Sequence, residues 1–295
     1  MTSAIALDGL VKDYGSFRAL DGIDLAVEQG EVFGFIGPNG AGKSTTIRIL
    51  LDLLRPTAGR VSVLGSPPAE GGPGLRARLG YLPGELVLPD RATARQLLTH
   101  LGRVRGGRGL ERIASLAERF LLDLDRPVRT LSKGNKQKIG VVQALMHRPE
   151  LALLDEPTSG LDPLLQQEFL ALVREERDAG TTVFLSSHVL SEIEGVADRV
   201  ALIRDGRIVV VDDVAALRAA AGQRLDVTFA SDVPMAALDE VEELTVDGPR
   251  ARGVWRGPPD RLLAMLQGLP VVHLQLRDRD LEELVLDAYR TDGAA

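Results

Sequence analysis

The chain has 295 residues, a formal net charge of −7 at pH 7 and no cysteine. A chain of this length can bury a large core and can hold more than one domain. The absence of cysteine excludes disulfides and thiolate metal sites, and the negative charge disfavours broad binding to nucleic acid, whose phosphates prefer basic surfaces. We find no secretory signal and no apolar run near the roughly 20 residues of a membrane-spanning helix. We therefore expect a cytoplasmic protein that acts at a membrane only through a partner.

The first part of the chain, to about residue 85, is predicted to contain strands and one helix with a phosphate-binding loop before it. The pattern favours a buried strand over 31–36 and a helix over 44–54. Between them, residues 37–45 read Gly-Pro-Asn-Gly-Ala-Gly-Lys-Ser-Thr, which fits Gly-x-x-x-x-Gly-Lys-Ser/Thr. Glycines let successive N–H groups point at phosphate oxygens, and the helix N-terminus favours the same anion. The alternative is a glycine-rich turn before an ordinary helix, which leaves the Lys-Ser pair unexplained.

Every residue of this loop is a candidate contact for a nucleoside triphosphate. Lys43 would place a point charge at the β- and γ-phosphates, and the Ser44 hydroxyl suits a Mg²⁺ ion. The predicted nucleotide-binding residues of the loop are Gly37, Pro38, Asn39, Gly40, Ala41, Gly42, Lys43, Ser44 and Thr45.

The pattern becomes helical over about 86–149. Apolar stripes predict helices over 94–104 and 110–122, with a glycine-rich turn over 102–109 between them.

A second anion site is predicted where Leu-Ser-Lys-Gly-Asn, residues 131–135, opens another helix. Ser132 is a natural N-cap, and its hydroxyl, the flexible Gly134 and the free helix N–H groups suit a phosphate. One ATP seldom needs two γ-phosphate sites in one chain. The second site is therefore predicted to serve ATP bound to another subunit.

Two carboxylates follow a short apolar strand predicted over 151–154. In an open α/β sheet, ligands bind at the carboxyl ends of the strands. Asp155 is therefore a candidate to hold Mg²⁺, and Glu156 is a candidate general base for the attacking water. The alternative is an acidic helix cap after a strand.

In order and spacing these motifs resemble those of the ATP-binding cassette (ABC) family, over roughly residues 4–222. The resemblance implies an α/β P-loop NTPase fold, with a mixed sheet core and a helical subdomain at about 86–149, that binds ATP and Mg²⁺ and hydrolyses ATP. It implies that Tyr14 stacks on adenine. It also makes His188, which follows a predicted strand over 182–187, the switch histidine that reaches the γ-phosphate.

The resemblance assigns two further segments to the nucleotide. Leu131 to Asn135 matches the signature motif, and Ser159 to Asp162 matches the D-loop. The residues that these motifs add to the predicted nucleotide-binding set are Ser132, Gly134, Asn135 and Asp162.

The chain departs from the family pattern at the Q-loop and in the signature. Gly84 stands where the family has glutamine, Lys133 where glycine is frequent and Asn135 where glutamine is usual. Glycine offers no side-chain oxygen, so we hypothesise that Glu85 takes over part of the glutamine's role. The predicted catalytic residues are Lys43, Glu156 and His188, and the predicted metal ligands are Ser44, Asp155 and Glu85.

The predicted domains are 1–222 and 223–295, divided after an alanine-rich helix that closes on Gly222. The second domain follows a β-α-β-β-α-β order with a last helix over 281–289, which suggests a small ferredoxin-like α+β domain. We expect Trp255 to anchor a core or an interface rather than to stack on a ligand. No catalytic constellation occurs in this domain.

The resemblance implies an ATP-driven motor subunit that works as a dimer, most simply a homodimer, on the cytoplasmic face of the plasma membrane. The variant Q-loop and the C-terminal extension resemble bacterial exporter subunits of the drug-resistance type, which act on a separate transmembrane permease. The alternatives are a soluble ABC ATPase acting on ribosomes or DNA, and a P-loop kinase. The first usually has two cassettes or basic arms, and the second would not use the signature segment.

Overall fold

The computed structural model describes residues 3–232 and 235–279. The chain forms two compact units that divide between Asp212 and Asp213. The sequence-based boundary, Gly222, lies after the helix that opens the second unit. The helix expected over 281–289 lies outside the described residues.

The first unit contains two sheets. Its strands are β1 (Ser3–Tyr14), β2 (Phe17–Glu28), β3 (Val32–Ile36), β4 (Ala58–Val63), β5 (Leu79–Leu82), β6 (Leu151–Asp155), β7 (Thr182–Ser187), β8 (Arg199–Arg204) and β9 (Arg207–Asp213). The smaller sheet is antiparallel with the order β2-β1-β4, and the larger has the order β5-β6-β7-β3-β8-β9. In the larger sheet, β5, β6, β7, β3 and β8 lie side by side in that order, and each is parallel to its neighbours among them. The α/β class expected from the sequence is confirmed.

Six helices accompany these sheets in the part of this unit that the structure describes. They are α1 (Lys43–Leu50), α2 (Pro68–Ala77), α3 (Ala94–Val104), α4 (Ile113–Arg119), α5 (Lys133–Leu145) and α6 (Pro163–Asp178). Short 3₁₀ turns occupy Leu110–Arg112, Val128–Thr130 and Leu190–Glu192. None of the helices described, in this unit or the next, is long and apolar enough to cross a membrane.

The register of the parallel strands brings three chain segments to one edge of the larger sheet. Strands β3, β6 and β7 are buried along their whole length, as expected of parallel strands covered on both faces. Ile36 pairs with Ser187, and Asp155 pairs with Ser186. The residues that follow these three strands therefore lie together, which is where an open α/β sheet binds its ligands.

Helix α1 ends earlier than the predicted 44–54. Asp52 takes a left-handed φ of 59°. The Asp52 N–H bonds Ile49 O at 3.0 Å, and the Leu53 N–H bonds Arg48 O at 2.9 Å. These two bonds form a Schellman cap, which stops the helix although apolar residues continue at helical spacing.

Helix α2 is absent from the sequence prediction. Its segment contains three glycines and an internal proline, which disfavour a helix, and its backbone is interrupted at Gly72, with φ of 54°. Helix α3 confirms the predicted 94–104. The helix predicted over 110–122 divides into the turn Leu110–Arg112 and α4.

In its described residues, the second unit is a four-stranded antiparallel sheet with helices. Its elements are α7 (Val214–Ala221), β10 (Gln223–Phe229), a 3₁₀ turn (Met235–Leu238), β11 (Glu242–Asp247), β12 (Arg250–Trp255), α8 (Pro259–Leu266) and β13 (Val271–Asp278). The strand order is β11-β12-β10-β13, with β12 antiparallel to both neighbours. A strand inserted between two others in this way is typical of the split βαβ arrangement of ferredoxin-like domains. Trp255 is 2% exposed and belongs to the hydrophobic cluster of this unit, which confirms it as a core residue.

Candidate nucleotide site

The phosphate-binding loop leads directly from β3 into α1 and needs glycine at specific positions. Gly40 and Gly42 have φ of 84° and 112°, in the left-handed region that favours glycine. A Cβ on Gly42 would stand 2.5 Å from Leu20 Cδ2, and a Cβ on Gly37 would stand 2.2 Å from Ile203 O. Larger residues cannot occupy these two positions without moving the loop.

A cleft of about 300 Å³ lies beside the loop. It is lined by Tyr14, Phe17, Ala19, Asn39, Gly40, Gly42, Lys43, Ser44, Thr45 and Glu156. Gly37, Pro38 and Ala41 do not line the cleft, and Ala41 is buried. Most residues of the predicted loop therefore line one cleft together with Tyr14 and Glu156.

Lys43 contacts both the phosphate-binding loop and the carboxylate of Glu156, the residue that follows β6. Its side chain is 6% exposed, and Nζ donates to Gly37 O at 2.5 Å and to Pro38 O at 3.2 Å. The same Nζ lies 3.4 Å from Glu156 Oε1. This contact is an ion pair without hydrogen-bond geometry, since Oε1 accepts no hydrogen bond from the described residues. The lysine charge is thus held at the mouth of the loop, within reach of the carboxylate.

Three predicted catalytic and metal-binding groups meet beside β7. His188 Nδ1 lies 2.6 Å from Glu156 Oε2, so a protonated Nδ1 donates to the carboxylate. Ser186 Oγ donates to Asp155 Oδ1 at 2.5 Å and accepts from the Glu156 N–H at 3.2 Å. Ser186 therefore orients both carboxylates, a role that no sequence motif indicated.

Glu156 has a backbone conformation that few non-glycine residues adopt, with φ of 49°. Its N–H donates to Ser186 O and Oγ, each at 3.2 Å. On the other side, Gln137 Nε2 donates to Glu156 O at 3.2 Å and to Pro157 O at 3.1 Å. Gln137 was not predicted from the sequence, because a single glutamine inside a helical pattern carries no signal of its own.

The signature residues cluster around the start of α5. Ser132 is the N-cap, and its Oγ accepts from Asn135 N at 3.3 Å and from Asn135 Nδ2 at 3.2 Å. A Cβ on Gly134 would stand 2.3 Å from Gly160 O, so the signature turn and the D-loop are in close backbone contact. Lys133 Nζ adds a bond to Ser159 Oγ at 3.3 Å.

The signature and D-loop residues do not line the cleft of their own chain. Ser132, Gly134 and Asn135 are absent from its lining. Asp162 is absent too; it is the N-cap of α6, and its Oδ1 accepts from Leu165 N at 3.1 Å.

Two aromatic side chains stand at the cleft. Tyr14 is 45% exposed, and Lys12 Nζ lies 5.1 Å from the centroid of its ring. Phe17 is 62% exposed and pairs with Tyr14 across the β1–β2 hairpin. Phe17 was not predicted from the sequence, although its place directly after the Tyr-Gly-Ser segment was a usable signal.

Gly84 lies against Asp155. A Cβ on Gly84 would stand 3.2 Å from Asp155 Oδ2, which is a tight contact. The Glu85 side chain is exposed and makes no hydrogen bond or ion pair with any described residue. Nearby, burial and the Asp155 carboxylate raise the pKa of Tyr81. The hypothesis that Glu85 replaces the glutamine stays a prediction.

The fold and the loop define a P-loop NTPase of the α/β class. The family described as ABC transporter matches residues 20–159. The daunorubicin/doxorubicin resistance ATP-binding protein DrrA of Streptomyces peucetius is 38% identical over 229 residues, which cover 76% of this chain and 69% of that protein. The uncharacterized ABC transporter ATP-binding protein YhaQ of Bacillus subtilis is 32% identical over 294 residues, 96% of this chain and 97% of that protein.

A solved structure of the ATP binding subunit of an ABC transporter superposes with a TM-score of 0.68 and 31% identity, over 74% of this chain and 92% of that one. The chain therefore belongs to the ATP-binding subunits of ABC transporters, and it is an ATPase whose ATP hydrolysis is coupled to transport. This confirms the family, the fold and the activity expected from the motifs. Subunits of this family work with a transmembrane partner.

Proposed function

We propose that this subunit drives a bacterial exporter of the drug-resistance type, as a homodimer docked on the cytoplasmic face of the plasma membrane through a separate permease. The similarity to a daunorubicin/doxorubicin resistance protein supports the exporter class. The chemistry of ATP hydrolysis belongs to this chain, whereas the permease determines the exported compound.

The arrangement of Lys43, Glu156 and His188 is the observation that carries the catalytic part of the proposal. Glu156 stands at the cleft with Oε2 held by His188 and Oε1 near Lys43. With ATP in the cleft, Lys43 neutralises charge on the β- and γ-phosphates. Glu156 then orients and polarises the attacking water, and His188 keeps its carboxylate in place.

The residues present fit a Mg²⁺ ion. Asp155 Oδ2 accepts no hydrogen bond from the described residues, and the Ser44 hydroxyl lines the cleft, so both offer the hard oxygen ligands that Mg²⁺ prefers. Ser44 and Asp155 would hold the ion, with Glu85 as a further candidate. When bound, Mg²⁺ supplies charge neutralisation for the phosphates.

The placement of the signature residues outside their own cleft supports a dimer with shared sites. In this dimer, Lys43 of one chain and Ser132 and Gly134 of the other contact the same γ-phosphate. ATP bridges two electropositive half-sites and favours closure, and hydrolysis favours opening.

The experiment compares the oligomeric state of Glu156→Gln with and without ATP by light scattering. The amide keeps the side-chain shape but cannot act as a base, so ATP should stay bound and the protein should become a dimer. Lys43→Ala, combined with Glu156→Gln, is the control and should remain monomeric. A Glu156→Gln protein that binds ATP and stays monomeric would contradict the shared site.

The transport part has a separate test. Co-purification of the full chain with a polytopic membrane protein from its own cells would support the permease. Recovery with ribosomes or DNA would favour the soluble ABC ATPase instead.

A further inference from the structure

Gln137 is a buried residue on the helix that begins at the signature turn, and its side chain contacts the turn at Glu156 and Pro157. It lies in the second turn of α5, and it is 3% exposed. A side-chain amide nitrogen has two N–H donors. Here Nε2 contacts two successive carbonyls, Glu156 O at 3.2 Å and Pro157 O at 3.1 Å.

These two carbonyls belong to the turn that aims the carboxylate of Glu156. A left-handed conformation at a glutamate is strained and persists only where the surroundings fix it. Ser186, on β7, fixes this turn by accepting hydrogen bonds from the Glu156 N–H. Gln137 fixes it through its carbonyl side, from α5. Loss of either anchor lets the carboxylate leave its place between Lys43 and His188.

The same helix begins at the signature turn. Ser132 caps α5, and the close contact of Gly134 with Gly160 packs this turn against the chain that follows Glu156. The bond from Lys133 to Ser159 strengthens that packing. A displacement of the signature turn is therefore transmitted to the segment 156–160, with Gln137 as the buried link.

We infer that Gln137 is a positioning residue that couples the two ATP sites of the dimer. The inference rests on the proposed function, in which the signature turn of a chain contacts the partner's ATP while Glu156 acts on ATP in its own cleft. When the signature turn of a chain contacts the partner's ATP, the Glu156 carboxylate of the same chain is fixed in position. That carboxylate then acts on the ATP in its own cleft. Cooperativity in ATP hydrolysis is the expected consequence.

The test measures ATPase rate against ATP concentration for the purified full chain. Gln137→Leu keeps the side-chain volume but removes both donors. We expect kcat to fall about tenfold while KM for ATP changes less than about twofold. We also expect the Hill coefficient to fall from above 1 in the unchanged chain toward about 1. Gln137→Glu, which keeps the shape but presents an acceptor to the two carbonyls, should behave like Gln137→Leu.

Gln143→Leu is the matched control, because it makes the same substitution on the same helix at a glutamine that does not contact Glu156. It should keep both kcat and the Hill coefficient. An unchanged kcat in both Gln137 variants would overturn the inference, as would a lower kcat with an unchanged Hill coefficient. Glu156→Gln separates the two proposals: if it dimerises with ATP while the Gln137 variants behave like the control, only the coupling fails.

Discussion

Ser186 illustrates how one small side chain serves two carboxylates. Its hydroxyl donates to Asp155 and accepts from the backbone of Glu156, so it supports both the proposed metal ligand and the proposed base. Partners of this kind orient ligands and tune affinity although they touch neither metal nor substrate.

Ser186→Ala should therefore raise the Mg²⁺ concentration for half-maximal ATPase activity by about tenfold and should also lower kcat. Mg²⁺ titrations of ATPase activity measure the effect. Ser187→Ala is the control: the neighbouring buried serine donates to Glu192 at 3.0 Å, away from both carboxylates, and its loss should leave the Mg²⁺ requirement unchanged. Equal responses of the two variants would contradict the role given to Ser186.

His147 adds a pH-dependent contribution to stability. Burial and the guanidinium of Arg105 lower its pKa from 6.5 to about 4. The imidazole is 7% exposed, its Nε2 lies 3.0 Å from Leu79 O, and its Nδ1 has no partner among the described residues. Between these two pKa values the unfolded chain binds a proton that the folded chain does not, so acid favours unfolding.

The free energy of unfolding should therefore fall by about 2 kcal/mol from this residue alone between about pH 7 and pH 4.5. Urea denaturation followed by circular dichroism at both pH values measures the fall. His147→Gln should remove that part of it, because glutamine does not titrate, whereas His100→Gln on the exposed face of α3 should not. A pH dependence that is the same in all three proteins would refute the assignment.

At the scale of elements, a buried ion pair links the region of α4 to α6. Arg112 pairs with Glu176, whose side chain is 5% exposed, and Arg112 Nη1 also donates to Leu145 O at 2.8 Å. Glu176 Oε2 has no hydrogen-bond partner in the described part of the chain. The carboxylate therefore depends on the guanidinium for compensation of its charge.

Arg112→Leu should lower the free energy of unfolding by about 3 kcal/mol, because it leaves a buried carboxylate unpaired. Denaturation curves of the single and double variants measure this. The double variant Arg112→Leu/Glu176→Leu should recover most of the loss, since two apolar side chains can replace a buried pair. A double variant less stable than Arg112→Leu would show that the carboxylate has another partner.

The elements also show how far the sequence could predict the structure. Helix α3 and strand β7 follow from periodicity and length alone, and the loop motif placed Lys43 and Ser44 at the cleft. Helix α2 could not be predicted, because its glycines and proline argue against a helix that tertiary packing of Leu75 nevertheless stabilises.

The residues that hold the catalytic groups in place could not be predicted from the sequence, for a different reason. Gln137 and Ser186 each act through a pair of hydrogen bonds to residues distant in sequence, and no spacing rule predicts such contacts. The left-handed turn at Glu156 likewise depends on these partners rather than on local sequence.

At the scale of the whole molecule, the two units have separate hydrophobic clusters, one drawn from residues up to 208 and one from residues after 224. We expect a chain that ends at Asp212 to fold and to bind ATP with a dissociation constant within about threefold of that of the full chain. Titration with a fluorescent ATP analogue tests this. Lys43→Ala in the shortened chain is the control and should abolish binding.

A second shortened chain tests which unit α7 belongs to. Val214, at the start of this helix, is buried, and the helix belongs to the second unit. A chain that ends at Gly222 keeps α7 without that unit, so it should be no more stable than the chain ending at Asp212. A clearly higher melting temperature for the longer fragment would place α7 with the cassette instead.

The only tryptophan of the chain, Trp255, lies in the smaller unit with its indole N–H bonded to Pro258 O at 3.3 Å. Excitation at the long-wavelength edge of the indole absorption band, where the tyrosines of the chain do not absorb, therefore observes this unit alone, whereas far-ultraviolet ellipticity averages over both. The natural protein thus carries an intrinsic optical reporter for its C-terminal part. Melting of that part can be followed separately from melting of the cassette, without attaching a dye.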